Sequence, residues 1–186
     1  MDKTLKLLSL SDLFILSGFG LISPILAIYI NVNLGAGIFL AGLATTMLLV
    51  TRSIFQLIFS HHFNPKDRLW LLRVGTGIIA LVPFGYMFSQ NVWHILAVQF
   101  MYGIGASMAY PAWNSFFVCH QDKGQKGFQW SIYNSGVSIG AAISAAIGAF
   151  LAQATSFNIV FLLTGILSLI GFAILFKLER SILKRY

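Results

Sequence analysis

Arg52 stands inside an apolar stretch, with Thr45, Leu49 and Gln56 at spacings of three and four residues. On a helix these positions share one face, so the guanidinium points with a hydroxyl and an amide. Two readings fit. One is a gate or a contact for an anionic or polar solute. The other is an Arg that snorkels to the interface, or pairs with Asp12 or with backbone carbonyls. Further along, Gln99, Tyr102, Tyr110, Trp113 and Asn114 recur at similar spacing, as do Trp130, Tyr133, Asn134 and Ser138, and Ser17 adds a hydroxyl to the first apolar run. Neutral hydrogen-bonding groups beside aromatic faces suit a polar organic solute, with amides orienting hydroxyls and rings stacking. The same groups also join neighbouring helices, at about 1 kcal/mol each.

Other chemistry finds little support. The acids are Asp2, Asp12, Asp67, Asp122 and Glu179, and each reads as terminal to an apolar run or outside it. Proton-driven carriers hold a buried carboxylate as relay; its absence here predicts facilitated movement, or coupling by another route. Cys119 is the only cysteine, which rules out an internal disulfide and a cysteine metal cluster. His61 and His62 read as solvated loop residues and His94 as interfacial, so no metal site and no cofactor is expected. An intramembrane serine protease needs Gly-x-Ser-Gly and a later histidine; Asn134-Ser135-Gly136 lacks the first glycine, and no histidine follows His120. The chain is not read as an enzyme.

These residues are carried by six hydrophobic runs, at about 11–32, 36–59, 70–88, 92–117, 128–152 and 158–176. The chain is 58% hydrophobic and 9% charged, against about 25% charged in a soluble domain. Each run spans about 30 Å of hydrocarbon as a helix, and in lipid the backbone must bond to itself. An all-α membrane protein follows, with the lipid bilayer as its first partner.

Of the twelve Lys and Arg residues, only Arg52 lies off one side. Lys3 and Lys6, then Lys66, Arg68 and Arg73, then Lys123 and Lys126, and finally Lys177, Arg180, Lys184 and Arg185 flank or link the runs at alternate ends. Basic residues mark the cytoplasmic side, which places both termini in the cytoplasm. The net charge of +7 is this sidedness spread over loops and tails, without the basic helix or aromatic-basic motif of a nucleic-acid partner.

The chain also repeats. Thr76-Gly77-Ile78-Ile79-Ala80-Leu81-Val82-Pro83-Phe84 and Thr164-Gly165-Ile166-Leu167-Ser168-Leu169-Ile170-Gly171-Phe172 agree at five of nine positions. Gly18-Phe19-Gly20 before Pro24 is answered by Gly103-Ile104-Gly105 before Pro111. Runs 1–3 (about 11–88) then correspond to runs 4–6 (about 92–176) as an inverted repeat, since three is odd. Such repeats are typical of secondary transporters. Runs 3 and 6 carry almost nothing polar at mid-length and are expected to face lipid; runs 1, 2, 4 and 5 are expected to line the interior. Run 5 carries Gly136, Gly140, Ser144 and Gly148, one every fourth residue. This small-residue stripe predicts close helix packing, in the same chain or another.

The whole sequence resembles one half of a major facilitator superfamily transporter. Besides the layout and repeat, Gln99, Gly103 and Gly105 follow that family's Arg-x-x-x-Gly-x-Gly, with Gln for Arg, and Asp122 to Ser131 is similar to its entry into the fifth helix. The family's Gly-x-x-x-Asp-Arg-x-Gly-Arg loop is degenerate at Gln56 to Asn64, where Ser60 takes the acidic position. The resemblance implies a half-size carrier of a small-molecule solute in a bacterial or archaeal plasma membrane. Six helices form one wall, and a second copy, inserted in parallel, would complete a twelve-helix vessel that works by alternating access. By the same analogy the stripe from Gly136 to Gly148 would lie between the copies. A different partner chain, or an assembly subunit without a pathway, are the alternatives. Arg52 favours an anionic solute and the amides and rings a neutral one.

Overall fold

The computed structural model describes residues 3–62 and 68–178. Asp2, Asn64, Lys66, Asp67, Glu179, Arg180, Lys184 and Arg185, used in the readings above, lie outside the described residues.

Among the described residues, six helical spans are long and apolar enough to cross a membrane. The first begins as α1 (Lys3–Ile22), eight residues ahead of the apolar run. Leu5 and Leu8 are fully buried against Phe117, Leu175 and Leu178, and this packing extends the helix past its charged start. Pro24 has no N–H to continue the ladder. The chain turns there and resumes as the short α2 (Leu26–Ile28) and a π-helical turn at Tyr29–Asn33. The other spans are α3 (Gly37–His62), α4 (Arg68–Met87), α5 (Val92–Cys119), α6 (Lys126–Ala154) and α7 (Phe157–Leu175). Pro83 and Pro111 sit inside α4 and α5 without ending them. Asn91 caps α5 by accepting from the His94 backbone N–H at 3.1 Å.

Helix α4 packs on α5, and α1 on α7. Helix α3 rests on α5, α6 on α1, and α4 meets α7 across the centre. Exchanging α1 with α5, α3 with α6 and α4 with α7 maps these pairs onto themselves. The two similar nine-residue stretches touch each other: a methyl group on Gly77 would lie 3.2 Å from the Phe172 ring, and one on Gly165 2.5 Å from the Phe84 ring.

Small residues permit close approach. A methyl on Gly75 would fall 2.6 Å from the Gly105 carbonyl oxygen. Between α1 and α7, the Ser11 hydroxyl donates to the Gly171 carbonyl at 2.7 Å and the Thr164 hydroxyl to the Gly18 carbonyl at 2.9 Å. In hydrocarbon, such donors have no water to turn to.

Helices α4 and α7 meet the expectation that they face lipid with one side only: Leu81, Leu162, Ile166 and Ile170 are exposed, while the other side turns inward. Thr76, Thr164 and Ser168 on them are buried, and the two helices form the central seam of the bundle. The more exposed helices are α3, whose buried residues are Ala41, Ala44 and Thr51, and α6, whose buried residues are Gln129 and Gly148. Large apolar side chains stand out from both, among them Phe39, Leu49 and Ile54 on α3 and Ile139, Ile143 and Phe150 on α6.

One core cluster joins Leu5, Leu69, Phe117 and Leu178, which brings the start of α1, the start of α4 and the ends of α5 and α7 to the same end of the bundle. Arg73 ties this end together by donating to the Leu178 carbonyl at 2.8 Å. A second cluster around Ile22, Tyr86, Ile95 and Phe161 fills the opposite end, and Ile15, Ile79, Ala106 and Ala109 fill the middle.

Candidate functional site

Helix α3 runs to His62, so Arg52 lies ten residues from its end, about 15 Å along the axis. That is deeper than the apolar run implied. Its neighbour Thr51 is buried against α5, where a methyl on Gly103 would lie 2.6 Å from the Thr51 Cβ. This contact sets the rotation of α3 and leaves Arg52 partly exposed. The Arg52 guanidinium sits 4.2 Å from the centre of the Tyr110 ring on α5. A cation over an aromatic face is worth about 0.5–2 kcal/mol, more as water is excluded. An Arg at mid-membrane costs about 2.5–3.5 kcal/mol on insertion scales, so the ring offsets part of that.

The acid on the same wall reads in the sequence as terminal to an apolar run, yet it lies inside a span, which corrects the expectation that no carboxylate is held there. Asp12 is the tenth residue of α1 and lies within the first membrane span. The Tyr133 hydroxyl on α6 donates to its carboxylate. No ion pair joins Asp12 to Arg52 among the described residues, so the pairing considered for Arg52 is not made. On α5, Tyr110 lies under Arg52, and Trp113, three residues on, has its ring centre 4.7 Å from that of Tyr133. The signal that could have placed Asp12 in the span was the apolar spacing of Leu5 and Leu8 upstream of it.

Tyr133 also belongs to an aromatic box. Its ring centre is 4.7 Å from Trp113, 5.1 Å from Phe117 and 5.6 Å from Trp130. Trp113 stacks on Phe117 at 4.7 Å, and its indole N–H is directed at the Leu8 carbonyl at 3.5 Å. Tyr102 stacks on Phe19 of α1 at 4.8 Å. Gln99 is buried, and its side-chain oxygen has no hydrogen-bond partner among the described residues.

Of the predicted residues, the structure brings Arg52, Tyr102, Tyr110, Trp113, Trp130 and Tyr133 into one wall formed by α1, α3, α5 and α6. Gln56 is partly exposed on the Arg52 helix, while Thr45, Asn114, Asn134 and Ser138 are exposed. Ser17 is occupied in packing: a methyl on Gly140 would lie 2.6 Å from its hydroxyl oxygen.

The small-residue stripe assigned to an interface between copies needs correction. A methyl on Gly148 would lie 2.2 Å from the Leu21 carbonyl oxygen, and one on Gly20 would lie 3.1 Å from the Ser144 Cβ. Gly140, Ser144 and Gly148 thus hold α6 against α1 of the same chain. Gly136 alone of the four faces open space. Ser60, at the degenerate acidic position, lines a cavity of about 150 Å³ with Arg68, Ser107 and Ser115, where Arg68 donates to the Ser115 hydroxyl.

The sequence matches the Major Facilitator Superfamily over residues 8–185. The chain belongs to that superfamily. It is 25% identical to an uncharacterized MFS-type transporter of Methanocaldococcus jannaschii over 96% of its own length and 46% of the relative's. It is 26% identical to the uncharacterized MFS-type transporter YttB of Bacillus subtilis, over 98% and 45%. The proton-coupled antiporter flippase LtaA of Staphylococcus epidermidis is 24% identical over 62% of this chain and 28% of the relative. The chain thus spans about half the length of the first two and less of the third. In fold it is similar to a crystal structure of the peptide transporter POT in complex with sulfate, with a TM-score of 0.80 at 16% identity over 98% of this chain and 39% of that one. This superfamily member is an integral membrane protein with the architecture of a six-helix portion of such transporters.

Proposed function

We propose that this chain is a transporter subunit that carries a small polar organic solute across the membrane by alternating access. The observation that carries the reading is that one wall holds Arg52, Tyr110, Asp12 and Tyr133, each partly exposed, beside two helices, α3 and α6, whose apolar faces are uncovered. In this reading the six helices form one wall of the passage. A second six-helix unit related by an axis along the membrane normal covers such a wall in this family of folds, and a second copy of this chain is the simplest source. The exchange symmetry of the helix contacts supports two inverted three-helix repeats, at about 11–88 and 92–176, within one domain. The shared end of Lys3, Lys6, Arg68, Arg73, Lys123, Lys126 and Lys177 faces the cytoplasm by the positive-inside rule, in a prokaryotic plasma membrane like those of the relatives' organisms.

The test is reconstitution of this chain alone into liposomes, with solute flux and particle mass measured on the same preparation. Flux from a particle of two copies supports the reading. A single copy without flux, or a different polypeptide required for flux, overturns the homodimer.

A further inference from the structure

Asp12 and Arg52 are opposite charges on one wall, and each retains unused bonding capacity. Tyr133 donates to one carboxylate oxygen of Asp12, and among the described residues nothing donates to the other. The Arg52 guanidinium has the Tyr110 ring at 4.2 Å and no hydrogen-bond acceptor among the described residues. Two unlike charges in low dielectric attract strongly, so a pair within reach of each other would close. These do not close. Tyr110 lies under Arg52 on α5, three residues from Trp113, whose ring centre is 4.7 Å from that of Tyr133, and Tyr133 holds the acid on the α6 side.

We infer that the wall binds a zwitterionic solute, with an ammonium group at Asp12, a carboxylate at Arg52 and the body of the solute against the Tyr110 ring. An ionised carboxylate only accepts hydrogen bonds, and a guanidinium only donates them in a fork that matches a carboxylate. The two ends of an amino acid satisfy these two needs together. An anion would leave Asp12 unneutralised, a cation would leave Arg52 so, and a neutral solute would leave both. This assignment deepens the transport reading and takes its setting from it, while its test is a binding measurement.

The full chain in lipid nanodiscs is tested by thermal unfolding and equilibrium binding against three matched mixtures: the neutral amino acids, their carboxamides and their N-acetyl derivatives. The expected result is stabilisation by the free amino acids, with binding of either singly charged set weaker by about ten- to a hundredfold, the range of one charge-assisted hydrogen bond. Arg52→Gln and Asp12→Asn should each abolish the preference for the zwitterion. The mixture comparison uses the unaltered chain, so it decides the matter even if a variant fails to fold. Equal binding of the three mixtures, or no response to the amino acids, overturns the assignment. Amino-acid binding without flux counts against transport and leaves the site; flux of a singly charged solute without amino-acid binding does the reverse.

Discussion

The Tyr133 hydroxyl on α6 reaches across to the Asp12 carboxylate on α1, where α6 also packs through Gly140 and Gly148 onto the same helix. One hydrogen bond thus holds an acid in place inside a membrane span and fastens a helix with few other buried contacts. Tyr133→Phe is expected to lower stability by about 1–2 kcal/mol, the upper range for polar contacts between membrane helices. It should also release the carboxylate and reduce solute flux. Unfolding in a denaturing detergent series measures the first effect. An unchanged midpoint would show that the bond does not hold α6.

The glycine stripe separates two placements. Gly148→Leu forces a side chain into the Leu21 backbone and should destabilise the fold by about 3 kcal/mol or more, beyond ordinary overpacking. Gly140→Leu should act in the same direction through Ser17 and Leu13. Gly136→Leu meets open space and should change stability by less than about 0.5 kcal/mol. Thermal midpoints of the three variants check this. A loss of self-association with unchanged protomer stability in Gly148→Leu would return the stripe to the contact between copies.

In the parallel twofold dimer proposed above, α3 of one copy would face α6 of the other. Leu49 and Ile143 are exposed, apolar and near mid-helix. With the exposed Cys119 replaced by Ser, Leu49→Cys and Ile143→Cys together should give an oxidised dimer on denaturing gels. Leu81→Cys, likewise exposed but on α4 and not on α3 or α6, should give none. Equal cross-linking at Leu81 would mean random collision.

Outside the membrane spans, Asp122 and Gln129 bond reciprocally ahead of α6. The Gln129 amide donates to the Asp122 carboxylate at 2.5 Å and accepts from the Asp122 backbone N–H at 3.1 Å. The Gln129 bond is the chief cause that holds the Asp122 carboxyl below its ordinary value. A group with a depressed folded pKa stabilises the fold above the unfolded value, about 4 for Asp, and loses that contribution as pH falls below it. Amide exchange in the first turn of α6, corrected for intrinsic rate, should therefore show protection falling as pH drops below about 4. Asp122→Asn should remove that dependence.

Much of the architecture is local and was legible. Runs of about twenty apolar residues mark spans wherever they fall, because lipid accepts little else. The alternation of basic and non-basic loops orders those spans along one direction, and the glycine and aromatic spacings of the fourth and fifth runs expose the family. The similar stretches at Thr76 and Thr164 pointed to two related halves without indicating that Gly77 meets Phe172.

The tertiary structure decided what each helix turns towards. An apolar sequence in lipid has little amphipathic contrast, so hydrophobicity alone does not tell a protein-facing residue from a lipid-facing one. Hence α4 and α7, expected at the lipid surface, keep one exposed apolar face and pack the other into the central seam, and the α6 stripe meets α1 of its own chain. The start of α1 depended on the same cause: only the burial of Leu5 and Leu8 against distant helices carries the helix past Lys3 and Lys6 and brings Asp12 inside the span. Contacts such as Asp12 with Tyr133, or Arg52 with Tyr110, join residues far apart in sequence, and close packing of the helices fixed them.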